Sequence, residues 1–187
     1  MCALLAPRSV LAAPASPTLP DVQSFAASLT NDDTRALRGV YADGLFALEV
    51  VPQPPSQPGF VSSAEGTVTQ FAMASQFDVV GLLAHDFLSG GEFAELATGQ
   101  HVDLIYGDGH TQAYRVTKIY RLQALTPNSI TSDFLDLETH KRLSAEAVFA
   151  MVYQGAHHVT FQTCIPAAGD PAWGRLFVIA EPEPGTG

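Results

Sequence analysis

Cysteine is nearly absent from the 187-residue chain, which holds only Cys2 and Cys164. Two thiols so far apart, one at the extreme terminus, do not make a disulfide framework. A single domain of this length buries roughly 70% of its unfolded surface and needs no covalent staple. The same scarcity leaves Cys164 free to be a working thiol, while Cys2 lacks the preceding apolar stretch of a lipoprotein cysteine and reads as incidental. Basic residues are also scarce. Nine Lys and Arg stand against 19 Asp and Glu, a formal charge of −10, which excludes the basic stripe that a phosphate backbone requires. No apolar stretch reaches the ~18 residues of a membrane span, and no internal repeat is present.

What the chain does have is apolar content, 47% of its residues, arranged in short runs. Residues 1–38 are expected to be a leader or linker. The first twenty contain four prolines and include Leu11-Ala12-Ala13-Pro14-Ala15-Ser16, a pattern shared by a secretory-signal remnant and a disordered leader. Within 21–38, Phe25, Leu29 and Leu37 give a partial apolar stripe for a short helix. Residues 39–182 carry the folded body, and 183–187 a frayed tail. Val40 to Val51 reads as strand with a turn at Asp43-Gly44, and the proline-rich 52–58 connection cannot lie in a central strand. Gly66–Phe71, Val79–Ala84, Val102–Tyr106 and Ala113–Leu122 read as further strands, the middle pair separated by a helix over Glu92–Thr98 that Gly99 stops. Gly107 to His110 forms a hairpin turn. The 123–157 connection holds a short strand near 132–137 and a helix, Ala145 to Tyr153, capped by Ser144. His158–Cys164 and Arg175–Ala180 are the last strands. Many short strands with a few small helices predict a mainly β fold, a barrel.

Three reactive groups stand at the edges of these strands. Cys164 ends the run Val159-Thr160-Phe161-Gln162-Thr163-Cys164-Ile165, Arg175 opens the next, and His85 closes an earlier one. A thiol is a weak nucleophile until deprotonated. A nearby imidazole can raise the thiolate fraction or protonate a leaving amine, and a guanidinium offers several N–H donors to an oxyanion. A hairpin between the last two strands brings Cys164 and Arg175 to one edge. The pattern itself does not fix the position of His85.

These residues resemble the sortases. The marks are Leu82-Leu83-Ala84-His85-Asp86, Thr160-Phe161-Gln162-Thr163-Cys164 and Arg175-Leu176-Phe177-Val178-Ile179-Ala180, and the elements between follow the family's order over about residues 40–182. The resemblance implies a closed eight-stranded β-barrel and a cysteine transpeptidase. Cys164 would attack a peptide bond in a C-terminal sorting signal of a surface protein, and an amine from cell wall or a pilin would resolve the thioacyl-enzyme. His85 would serve as acid and base, Arg175 would hold the oxyanion and substrate, and Leu83 and Thr163 would line the peptide groove. The implied location is extracellular or at the cell surface. The helix-containing insert at 123–157 is similar to that of class B-like members, and the class is left unassigned. Asp170-Pro171-Ala172-Trp173 is similar to the lid of pilin-type sortases, yet it follows the cysteine and reads as a loop turn.

Blander readings stand beside these. A lone cysteine in a β-run is usually a small core hydrophobe, His85 could be structural, and Arg175 could pair with a surface carboxylate. His101, His110, His140, His157 and His158 lack partners at ligand spacing, so no metal or other cofactor is expected. Some sortases bind calcium near the long loop. Asp103, Asp108, Asp133, Asp136 and Glu138 are the candidates here, though no EF-hand-like loop is present and a solvated acidic face is the simpler reading. Two rival functions remain open: a non-catalytic peptide-binding module on the same fold, and a cysteine amidase or protease with water as acceptor.

Overall fold

The computed structural model describes residues 19–185. The expected leader over 1–18, with Cys2, lies outside the described residues. Strand β1 (Leu37–Ala42) turns at Asp43-Gly44 into β2 (Phe46–Pro52), and β3 (Thr67–Phe71), β4 (Val79–Leu83), β5 (His101–Tyr106) and β6 (Thr111–Ala124) follow. Two short strands, β7 (Phe134–Asp136) and β8 (Arg142–Leu143), precede the long final pair, β9 (His158–Ala167) and β10 (Asp170–Pro182).

The strand order is β10-β9-β4-β3-β2-β1-β5-β6, and β10 pairs back onto β6. That pairing, from Gly174 opposite Gln123 to Pro182 opposite Tyr114, closes the ring. Eight strands therefore form a closed barrel, as expected, and β7 and β8 extend the sheet from the side of β6. Closure removes the free edges that an open sheet would leave.

The alternation of side chains sorts two apolar cores. Val40, Leu48, Val68, Leu82, Leu104, Tyr114, Phe161, Leu176 and Val178 fill the barrel interior. On the outside, Val79, Leu122, Phe177 and Ile179 pack against Val148, Val152 and Tyr153 of helix α3 (Ala145–Tyr153), whose N-terminus is capped by Ser144 as expected. Its C-terminal carbonyl at Val152, which no helical N–H can reach, accepts from Thr160 Oγ1 and lies 3.0 Å from His158 Nε2. The helix is thus stitched to β9.

Three expectations shift. The helix within 21–38 is α1 (Val22–Ser28), capped by Asp21, and it packs through Phe25 and Leu29 on Tyr41 and Ile105. The helix expected over Glu92–Thr98 is shorter and earlier, α2 (Gly90–Phe93). Phe93 and Leu96 both enter the barrel core, and past Phe93 the chain continues in i→i+3 turns, with the Glu95 N–H on the Glu92 carbonyl and the Leu96 N–H on that of Phe93. Finally, β9 and β10 run past Cys164 and Arg175. Their hairpin turns at Ala168 and Gly169, both with positive φ, so the two residues sit inside the strand pair rather than at its ends. Asp170-Pro171-Ala172-Trp173 forms an irregular stretch of β10, where register shifts between Asp170 and Gly174. A bulge is one of the few places a sheet accepts proline.

Candidate active site

The pairing registers set the site. Arg175 lies directly opposite Cys164 in the antiparallel β9–β10 ladder. On the other side of β9, strand β4 runs parallel, with Leu83 level with Gln162 and the Ala84 N–H donating to the Gln162 carbonyl at 3.2 Å. His85 is two residues beyond Leu83, and Cys164 two beyond Gln162. The β9–β10 ladder thus sets thiol and guanidinium side by side, and His85 follows the end of β4, the strand on the other side of β9. The parallel β4–β9 pairing brings the strand that precedes His85 beside β9, a neighbour that local pattern did not give.

Each member has its own surroundings. Arg175 is half-buried, and its Nη1 donates to the carbonyls of Ala172 at 2.9 Å and Gly174 at 2.8 Å. Those carbonyls belong to the irregular stretch at the start of β10, and Nη2 reaches the Pro127 carbonyl at 3.4 Å. Cys164 is half-buried. Burial pushes its thiol up, Arg175 pulls it down, and Asp86 pushes it further up, with a net rise. The resting sulfur is accordingly a thiol near neutral pH. The His85 ring stacks on Phe87, centroids 5.2 Å apart, and Phe87 is 74% exposed. No hydrogen bond joins His85 to Cys164 among the described residues.

Two cavities lie along β9. One, of about 330 Å³, is lined by Leu83, Gln162 and Arg175 together with α3 and residues of the 129–134 segment. Ile130, wholly exposed, stands on its rim. The other, of about 250 Å³, is bounded by Cys164 itself with Asp86, Gly90, Thr163 and Arg121. Leu83, expected to line the groove, borders the first cavity. Thr163 does not join it there. It is only 4% exposed, projects to the barrel side of β9, and borders the second cavity.

Sequence reasoning passed over Gln162, Tyr153, Asp86 and Gly90. The Tyr153 hydroxyl, on a buried ring, donates to Gln162 Oε1 at 2.5 Å, which fixes the amide and leaves its N–H₂ end for the groove. A polar residue two before the cysteine in an otherwise apolar run was the available signal. Gly90 is held against the His85 carbonyl by a 2.9 Å hydrogen bond. Nothing in its local pattern announces that contact.

The histidines and acids considered for metals are otherwise engaged. His101 is placed between Asp103 and Glu183, His110 pairs with Asp108, and His157 bridges Tyr114 and the Asp78 carbonyl. Asp133 holds Arg142, and Asp136 Oδ1 accepts from the Glu138 and Thr139 backbones. No group of three His, Cys, Asp or Glu that could hold a metal occurs among the described residues. No helix among them is long and apolar enough to cross a membrane.

No protein-family model matches the sequence, and no curated protein matches it. Solved structures do. Sortase C-1 from Actinomyces oris superposes with a TM-score of 0.53 at 15% identity, over 89% of this chain and 83% of that one. Sortase C1 from Streptococcus agalactiae, in complex with MTSET, gives 0.50 at 16% identity, over 88% and 86%. The closed eight-stranded barrel, its element order and these likenesses agree: this protein has the sortase fold.

Proposed function

We propose that the protein is a sortase-like cysteine transpeptidase, exported and acting on peptide substrates outside the cytoplasm. The observation that supports this reading is Arg175 directly opposite Cys164 in the β9–β10 ladder, with His85 just past the end of β4, the strand that borders β9 on its other side. In the first step the Cys164 sulfur bonds to the scissile carbonyl carbon, and the thiol proton passes to His85. Arg175 faces the developing oxyanion, whose charge a preorganised donor stabilises more than the neutral carbonyl. The C–N bond then breaks, and His85 returns the proton to the departing amine. The thioester is resolved by an acceptor amine. The sortase C likeness makes a C-terminal sorting signal the substrate class to test first, with cell wall or a pilin as the amine source.

The 330 Å³ cavity suits the acyl-donor peptide, since apolar walls from Leu83, Phe134, Val148 and Phe149 meet a few polar groups, Gln162 and Arg175. The test incubates the full chain with a C-terminal peptide library and hydroxylamine and reads products by mass spectrometry. Hydroxamate products that vanish in Cys164→Ala are expected. Processing that persists in that variant, or no product and no adduct on Cys164, would remove the thioester mechanism. Amine-capped product in preference to acid separates a transpeptidase from a hydrolase.

A further inference from the structure

Strand β9 has no free edge. Gln162 lies opposite Phe177 of β10 on one side and Leu83 of β4 on the other, so an incoming peptide cannot add to β9 as a further strand. What β9 offers the 330 Å³ cavity is side chains, and Gln162 is the polar one among them. We propose that Gln162 is a specificity-determining residue: its amide N–H₂, aimed by Tyr153, donates to an uncharged oxygen acceptor on a side chain of the acyl-donor peptide. This deepens the transpeptidase reading above and rests on it.

The direction of the amide follows from its neighbour. Tyr153 is a buried residue of α3, and burial pushes its ionisation up, so the hydroxyl keeps its proton. A buried O–H needs an acceptor, and the one it meets is Gln162 Oε1, at 2.5 Å. Reversing the amide would present N–H₂ to the hydroxyl and leave the phenolic proton with nowhere to go. The oxygen end of Gln162 is therefore occupied inside the protein. The N–H₂ end has no partner among the described residues, and the residue lines the cavity. Tyr153 is itself held in place. One residue earlier, the Val152 carbonyl accepts from Thr160 Oγ1, which ties that end of α3 to the strand carrying Gln162.

The rest of the lining sets the chemical class. Phe71, Leu83, Phe134, Val148 and Phe149 are apolar and suit an aliphatic stem. A carboxylate would lose its water here for little return, because Arg175 already donates to the carbonyls of Ala172, Gly174 and Pro127. An ammonium would meet the donor end of the amide. A wholly apolar side chain would cover the N–H₂ without pairing it, and a site with an unpaired polar group rejects the analogue that lacks the acceptor. The side chain that satisfies both walls and amide is uncharged, with an oxygen at the end of a short aliphatic stem.

The test runs the full chain with hydroxylamine on two C-terminal peptide libraries and reads the hydroxamates by mass spectrometry. In one library each position carries O-methylserine or its isostere norvaline in equal amounts; in the other, threonine or valine. At one position the parent protein is expected to enrich both oxygen-bearing residues, by up to about tenfold, the effect of one neutral hydrogen bond. Each ratio is taken within a single reaction, so it does not depend on how much of a variant is folded. Gln162→Leu should bring both ratios to one or below. Should that variant give no product, Gln162→Leu combined with Tyr153→Phe removes the orphaned hydroxyl as well and reads the same ratios. Tyr153→Phe alone frees Oε1, so the amide can present either end. The ether, which only accepts, should lose its advantage, while threonine, which also donates, keeps it. Ratios near one at every position in the parent, or ratios that survive Gln162→Leu, overturn the proposal while leaving the thioester intact. Both ratios unchanged in Tyr153→Phe overturn the aiming by Tyr153. If neither library yields a hydroxamate, the thioester reading falls, and this inference with it.

Discussion

Gly90→Ala sets two physical effects against each other, and the structure decides the sign. Gly90 is the first residue of α2, so propensity alone favours alanine by about 1 kcal/mol. Tertiary contact opposes this. A β-carbon at Gly90 would lie 2.6 Å from the His85 carbonyl oxygen and 2.8 Å from that of Ala84, and would also strike Thr163 Oγ1. Two of these atoms are backbone and cannot rotate away, so the chain carrying His85 must shift. Overpacking of this kind costs up to ~3 kcal/mol. The net is a destabilisation of about 2 kcal/mol after the propensity gain. For a chain of this size that lowers the melting temperature by about 4–8 °C. Turnover should fall further than stability implies, because a displacement near 1 Å at a reacting group can cost about 10²-fold. Gly59→Ala is the control, since a β-carbon there meets nothing within 4 Å. It should melt at or slightly above the parent. Calorimetry on the three proteins, with hydroxamate formation as the activity readout, checks both parts. A Gly90→Ala protein that melts above the parent would refute the clash and return the position to ordinary helix propensity.

Two further outcomes follow from charge. Arg175 pulls the Cys164 thiol down and Asp86 pushes it up. Iodoacetamide alkylation followed against pH should therefore move to higher pH in Arg175→Ala and to lower pH in Asp86→Asn; shifts of the reverse sign would break the assignment. His101 faces carboxylate oxygens at both ring nitrogens, Asp103 at 3.1 Å and Glu183 at 3.0 Å, an arrangement only the imidazolium satisfies. Burial pulls its pKa down, the two carboxylates push it up by more, and the net is a rise. The stabilisation is fully present below the unfolded value near 6.5 and is lost as pH rises through the higher folded value. The ring is part-exposed, so the effect is small. Denaturant titrations across that window should show a decline in the parent that His101→Gln flattens.

The likeness to solved sortases rests on the barrel, at 15–16% identity, where a fold persists after most side chains have changed. A fold hosts many chemistries, so the weight of the functional reading rests on the Cys164–Arg175 pair, on His85 past the end of β4, and on the two cavities along β9.

Much of this was legible in the sequence because its causes are local. Ser144 before an apolar helical stretch predicted α3 to the residue, since capping and periodicity are short-range effects. Alternation and turn residues gave most strands, and the Cys164–Arg175 pairing followed from the hairpin between consecutive strands. Other features depend on partners distant in sequence. The ends of β9 and β10 were misplaced because Cys164 and Arg175 look like edges until the Ala168-Gly169 turn is seen to extend the ladder. The α2 boundary was misplaced because the helix begins at Gly90, whose N–H is held by the His85 carbonyl, rather than at the first strong helix former. Thr163 was expected to share the groove with Leu83, and the pleat turns it to the other side of β9. By itself the sequence determined most of the strands, the capped helix and the Cys164–Arg175 pair, each set by neighbours along the chain. Only the tertiary structure decided that β4 lies parallel to β9, and that Asp86, Gly90 and Thr163 line one cavity. Those placements come from the closure of the ring, which no local preference encodes.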